Sequence, residues 1–157
     1  SLVGVNTIFA NKIVYEALKN KEIDELNDFE NIKSEASYGK DTRFDFLLEK
    51  KNKKAYLEVK NVTLSLIKGT AEFPDAITSR GKKHLVKLSE ALKNGYQCYI
   101  LYLIQRENCN FFKIADKIDL EYNKAFLNAK KKGVKILCYN CKLSQQEIKV
   151  KRPVKIL

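Results

Sequence analysis

Residues 43–60 read RFDFLLEKKNKKAYLEVK, and three side chains in this stretch have types and spacing suited to chemistry: Asp45, Glu58 and Lys60. Two strand-like runs flank a basic turn, and side chains along a strand alternate between faces. Phe44, Phe46 and Leu48 are therefore expected on one face of the first run, with Arg43 and Asp45 on the other. On the second run Leu57 and Val59 share a face, and Glu58 and Lys60 share the opposite one. Centring the turn between Lys51 and Asn52 sets Asp45 across from Glu58, with the two side chains about 5 Å apart on one face. Two carboxylates that close repel unless positive charge lies between them. Mg2+ suits that place, because it takes one or two carboxylates plus water and leaves positions for phosphate oxygens. Such an ion activates water and offsets charge building on a phosphodiester. Lys60, on the same face, would stabilise the attacking hydroxide or the pentavalent phosphate. The same residues also read as a plain surface hairpin, with Asp45 and Glu58 paired to Lys60 and Arg43.

Holding these groups in place requires a sheet, and the rest of the chain supplies one. A first helix is predicted over about 8–18, where Ala10, Ile13, Val14, Ala17 and Leu18 recur at helical spacing and Asn6 or Thr7 could cap it. Strands follow near 32–38, 43–49 and 54–64, with turns at Tyr38–Asp41 and Lys50–Lys53. A loop with Gly69 and Phe73-Pro74-Asp75 leads to a second helix over about 79–94, striped by Leu85, Leu88 and Leu92. Residues 97–105 are continuously apolar and read as a buried strand. A third helix over about 120–132 stops at Gly133, and runs 134–143 and 147–157 supply closing strands. The order α-β-β-β-α-β-α-β-β predicts an α/β domain with a central mixed sheet flanked by helices.

The chain has 157 residues, 45% of them hydrophobic, which suits one soluble domain with a real core. No run approaches the roughly 18 apolar residues of a membrane span, and no signal peptide opens the chain, so no membrane partner and a cytoplasmic location are expected. Thirty Lys and Arg against nineteen Asp and Glu give a net charge of +11, which favours a polyanion, mainly nucleic acid through its phosphates. A lysine-rich surface kept for solubility is the plainer alternative. Arg43, Arg80, Lys82, Lys83 and Lys87 are the cations in reach of the candidate site, the last four around the start of the second helix, and they suit phosphate contact or simply a solvated face. His84, the lone histidine, reads as structural or as a further phosphate contact. Gln105-Arg106 ends the buried strand on the same side. Lys130–Lys132, Lys149, Lys151, Arg152 and Lys155 add sequence-blind charge, without the interleaved aromatics of a single-strand platform. Cys98, Cys109, Cys138 and Cys141 are expected as reduced, packed thiols, because one C-x2-C with two scattered partners is a poor zinc set.

The Asp45…Glu58-x-Lys60 arrangement within α-β-β-β-α-β resembles the PD-(D/E)-x-K nucleases. More specifically, the strings VGVNT (3–7), SEASYG (34–39), TRFDFLLE (42–49), YLEVKNVTL (56–64), AEFPDAITSRGKKHL (71–85) and GVKILCY (133–139) resemble the sugar fermentation stimulation protein A family over nearly the whole chain. That resemblance implies a restriction-endonuclease-like fold, DNA binding through the phosphate backbone with little sequence preference, and a link to sugar (maltose) metabolism. It implies hydrolysis with Mg2+ or Mn2+, held by Asp45, Glu58 and the Val59 carbonyl, with Lys60 as the motif lysine. An additional acid is expected from Glu35, in the SE…YG string, or from Glu16 on the first helix. Pro74-Asp75 reads PD but follows Lys60, so it is not the motif's PD; Asp75 is expected at the border of the site or as a turn residue. Family members carry a small OB-like barrel before VGVNT. With no Met in the chain and Ser1 first, residues 1–157 are expected to be the nuclease-like domain alone, processed or truncated. By analogy with nucleases that cut both strands, a homodimer is a candidate assembly.

Overall fold

The computed structural model describes residues 8–144 and 147–157, so Asn6, Thr7 and the VGVNT string lie outside the described residues. Helix α1 (Ile8–Lys19) is followed by strands β1 (Asn31–Tyr38), β2 (Thr42–Lys50) and β3 (Lys53–Val62). A short hairpin, β4 (Leu64–Ile67) and β5 (Thr70–Phe73), leads to α2 (Ser79–Lys93) and β6 (Gln97–Ile104). Then come β7 (Phe111–Ile114), α3 (Leu120–Lys132), β8 (Lys135–Leu143), β9 (Ile148–Pro153) and β10 (Lys155–Ile156).

The main sheet has six strands in the order β1-β2-β3-β6-β8-β9. Its centre, β3-β6-β8, is parallel, and both flanks are antiparallel. The predicted mixed sheet flanked by helices is therefore the observed one. The central strand shows why its sequence is apolar throughout. Tyr99, Leu101 and Leu103 pack toward α1 against Ile13, Val14 and Ala17, while Ile100, Tyr102 and Ile104 pack toward α2 and α3. Both faces of β6 are buried, which requires a continuous apolar run.

Three segments depart from the sequence reading. The loop expected around Gly69 is the β4–β5 hairpin, and residues 111–114 form β7, which pairs with β5 in parallel. The last run is split, because Val154 donates its N–H to the Cys138 carbonyl and β10 then joins β7 instead of β8. These pieces make a second sheet, β10-β7-β5-β4. Each is short, and β5, β7 and β10 are joined by partners remote in the chain, so periodicity had nothing to detect.

The helices are fixed by the caps their sequences carry. Thr78 accepts from the Gly81 N–H at 2.9 Å to start α2, and Asp119 accepts from Tyr122 N–H at 2.9 Å to start α3. Asp119 also accepts from the Thr78 N–H at 2.9 Å, so one carboxylate ties the starts of both helices together. Gly133, at φ +118°, closes α3 in the left-handed conformation that favours glycine.

Candidate functional site

The β2–β3 register is the one expected, running from Phe46 opposite Leu57 to Lys50 opposite Lys53. At the next step the backbone ladder gives way to side chains. The Val59 N–H donates to Asp45 Oδ2 at 2.7 Å, and the Asp45 N–H donates to Glu58 Oε1 at 3.2 Å. Each carboxylate thus satisfies a strand amide with a side-chain oxygen. Asp45 Oδ1 is held from the other side by the Asn11 side-chain amide of α1 at 2.8 Å.

Strand alternation also breaks here, which corrects one expectation. Phe46 and Leu48 pack toward α1 as a pair, but Phe44 turns to the α2–α3 side. Across from this point on β1, between the pairs Ser34–Phe46 and Ala36–Phe44, Glu35 has φ +54°. A positive φ is uncommon for a non-glycine residue and costs energy that its surroundings must offset. The kink in both strands opens the sheet around Asp45.

Glu58 is buried and faces α2, as alternation from Leu57 requires. Its Oε2 lies 3.1 Å from Lys60 Nζ and 2.5 Å from His84 Nδ1. Lys60 Nζ is also 2.9 Å from His84 Nδ1. One nitrogen cannot both donate to Glu58 and accept from Lys60. The shorter contact is to a carboxylate oxygen, which demands a proton, so Nδ1–H donates to Glu58 and Lys60 donates separately. Burial would raise the Glu58 carboxyl, but the His84 hydrogen bond and the Lys60 charge outweigh it and hold the group down at about 2. Asp45 goes the other way. Burial first, and then the neighbouring Glu58 charge, push it up to about 7.

These groups line a cleft of about 450 Å3 along the C-terminal half of β3, between Ala10 and Asn11 of α1 and Arg80 and His84 of α2. Val59, Lys60, Asn61 and Asp75 also line it. The cleft shares Arg80 and His84 with a neighbouring groove of about 770 Å3 whose walls include Lys40, Arg43 and Lys83. The structure therefore gathers Asp45, Glu58, Val59, Lys60, Asp75, Arg80 and His84 at one opening, with Arg43 and Lys83 beside it.

Other candidates fall elsewhere. Glu35 borders Asp45 from the far side, in a separate depression with Asn11 and Tyr15, away from Glu58. Glu16 lines a surface groove with Phe9 and Ser144, outside the cleft, because its position on α1 points away from the sheet end. Lys82 reaches toward α3 and pairs with Glu121 at 3.5 Å, and Lys87 lies near Asp41 and Glu90. Gln105 is fully buried and hydrogen-bonded to the Asn61 side chain, so it holds a cleft residue and is not itself on the surface. Asn11, Asn61 and the His84–Glu58 bond escaped the sequence reading. For Asn11 a signal existed: it lies one helical turn before Val14, on the stripe that faces the sheet.

As donors for a divalent ion, Asp45 and Glu58 are two hard carboxylates and Val59 offers a backbone oxygen, a set that fits Mg2+ or Mn2+ completed by water. Among the described residues no group of three or more His, Cys, Asp or Glu is arranged to hold a metal ion by side chains alone. All four cysteines are free and buried. Cys138 packs toward α2–α3 and Cys141 toward α1, so the C-x2-C pair straddles the sheet and cannot close on one zinc.

Fold and cleft together make this a restriction-endonuclease-like α/β domain. Residues 8–147 match the family described as "Sugar fermentation stimulation protein RE domain". A sugar fermentation stimulation protein homolog of Pelagibacter ubique is 52% identical over 157 residues, covering 100% of this chain and 68% of that protein. The homolog of Clostridium perfringens strain SM101 is 45% identical, covering 99% and 67%. Among solved structures, that of Pyrococcus furiosus SfsA in complex with Ca2+ superposes with a TM-score of 0.89 at 23% identity, over 98% of this chain and 66% of that one. The chain belongs to the sugar fermentation stimulation protein family and spans about two thirds of the length of these relatives.

Proposed function

We propose that this domain binds DNA through its phosphate backbone and hydrolyses phosphodiester bonds with Mg2+ or Mn2+, with little sequence preference. One observation carries the reading: Asp45 and Glu58 meet in a cleft that contains Lys60 and opens into a basic groove. Asp45, Glu58 and the Val59 carbonyl would hold the cation. When bound, it supplies Lewis-acid charge compensation for phosphoryl transfer. The Ca2+ in the Pyrococcus furiosus relative is a hard, oxygen-seeking ion of the same kind.

The chain's own residues do the rest. Lys60, paired with Glu58, presents its ammonium to a phosphate at the cleft wall. His84 keeps Glu58 ionised and oriented. Arg80 reaches both cleft and groove, where its guanidinium can clamp a phosphate in two-point geometry. Lys83 is paired with Asp41 at 3.3 Å in the free protein, an exposed pair that a polyanion can exchange at little cost.

A second reading is a regulatory DNA-binding protein that does not cut. It draws support from the carboxylates themselves, since each of their four oxygens already accepts a protein hydrogen bond. Calorimetric titration of Mn2+ into the wild type and an Asp45→Ala/Glu58→Ala variant, with and without a DNA duplex, separates the readings. Uptake by the wild type alone is the expected result. No uptake even with DNA present leaves the non-cutting reading. Lys60→Ala is then expected to abolish cleavage while keeping most DNA affinity, because it removes one phosphate contact among several.

A further inference from the structure

The β4–β5 hairpin springs from the cleft: Thr63, just before β4, and Phe73, at the end of β5, both line it. Four strand residues carry the tip about 13 Å from that wall. Lys68 and Gly69 make the turn, closed by Ile67 opposite Thr70. The tip is braced. Ser65 Oγ donates to the Thr70 carbonyl at 2.8 Å, and the Gly69 carbonyl accepts from Asn110 N–H at 2.9 Å. Arg106 fixes the foot by donating to the Thr63 carbonyl at 3.1 Å.

On this rigid arm Leu66 is 68% exposed and Ile67 is 54% exposed. Neighbouring strand positions alternate between faces, so one of the two would ordinarily turn inward. Both stand in water. Phe111, 41% exposed, shares a face with Ile67, since Thr70 pairs with both. The patch is ringed by positive charge: Lys68 at the turn, Lys155 opposite Phe111, and Arg152 bonded to Asn110. A second copy of this chain would bring its own +11 against those charges. A nucleic acid supplies both an anionic rim and apolar faces within.

We propose that the hairpin tip is a base-contacting wedge, with Leu66 and Ile67 packing against nucleobases unstacked beyond the phosphodiester held in the cleft. Aliphatic wedges of this kind pack between base steps and cost a few kcal/mol of unstacking, offset by the added contact. The favoured substrate class is accordingly nucleic acid whose bases are already loosened near the cleft: frayed ends, junctions or single strands. The inference rests on the proposed DNA binding but is tested apart from it.

The experiment uses a short DNA duplex carrying 2-aminopurine, whose fluorescence rises on unstacking, titrated with the wild type and with Leu66→Ser/Ile67→Thr. Both residues are exposed, so the variant is expected to keep the wild-type melting temperature. The expected result is a rise with the wild type and none with the variant. The variant still binds, with the same salt dependence but about tenfold more weakly. Wild-type binding without a rise, or an equal rise with the variant, overturns the wedge and leaves DNA binding intact. Failure of the wild type to bind either duplex or single strand overturns both. A wild-type dimer that the variant converts to monomer, by sedimentation, overturns the wedge in favour of a protein interface.

Discussion

His84 reads from sequence as a structural ring or a phosphate contact; in the fold it is buried, and it is the closest partner of Glu58. The carboxylate pair is legible because two short-range rules, alternation and a turn of known length, fix it from adjacent strands. The partners of those carboxylates are not, since Asn11 and His84 come from helices that only the packed sheet brings near. Alanine at His84 removes a donor from a buried carboxylate and is expected to lower stability by about 1–3 kcal/mol. The check is the urea midpoint at unchanged m-value, in the presence of a chelator. Alanine at Asn11 removes a neutral donor from Asp45 and is expected to cost less, about 0.5–1.5 kcal/mol.

Helices α1–α3 and strands β1, β2, β3, β6 and β8 can be read from the chain because each has its own apolar pattern, bounded by caps or turns. The small second sheet cannot: β5, β7 and β10 are short strands, with α2 and β6 between the first two and α3, β8 and β9 between the last two. Among elements, the start of α2 matters most to the cleft, because Arg80 and His84 both sit on its first turns. Gly81 lies there against α3. A methyl group in its place would stand 2.9 Å from the Thr78 side chain and 3.0 Å from the Tyr122 ring. Gly81→Ala is therefore expected to destabilise by about 1–3 kcal/mol through overpacking, despite alanine's better helix propensity. It is also expected to weaken duplex binding through displaced Arg80. Thermal melts and fluorescence anisotropy measure the two effects.

The net charge of the whole molecule, +11, would favour the polyanion we propose, and the groove beside the cleft is where its phosphates would lie. Much of the charge is spread, as in Lys130–Lys132, whose cations sit at the C-terminal end of the α3 dipole. If Lys40, Arg43, Arg80 and Lys83 of the groove each meet a phosphate, the logarithm of duplex affinity should fall against the logarithm of salt concentration with a slope of about −4. Arg43→Ala should make it shallower by about 1. A titration in potassium chloride tests both. The core sets a limit at high pH. Burial pushes the Cys98 and Cys141 thiols up to about 12 from an ordinary 9.0. The folded state thus holds protons that the unfolded chain releases, so this contribution is intact below pH 9 and lost as pH rises toward 12. Urea midpoints should fall between those limits, and a thiol reagent should label none of the four cysteines in the native protein near neutrality.

The capping of two strand amides by carboxylates where β2 meets β3 makes the cleft audible in the backbone. The Asp45 and Val59 amides are protected from exchange with water only while Glu58 and Asp45 face them. Anything that draws either carboxylate away, whether ion, phosphate or substitution, releases its amide without unfolding the strands on either side. Those two N–H groups are therefore resident probes of the cleft, and deuterium uptake at Val59 would register its occupancy with no substrate in hand.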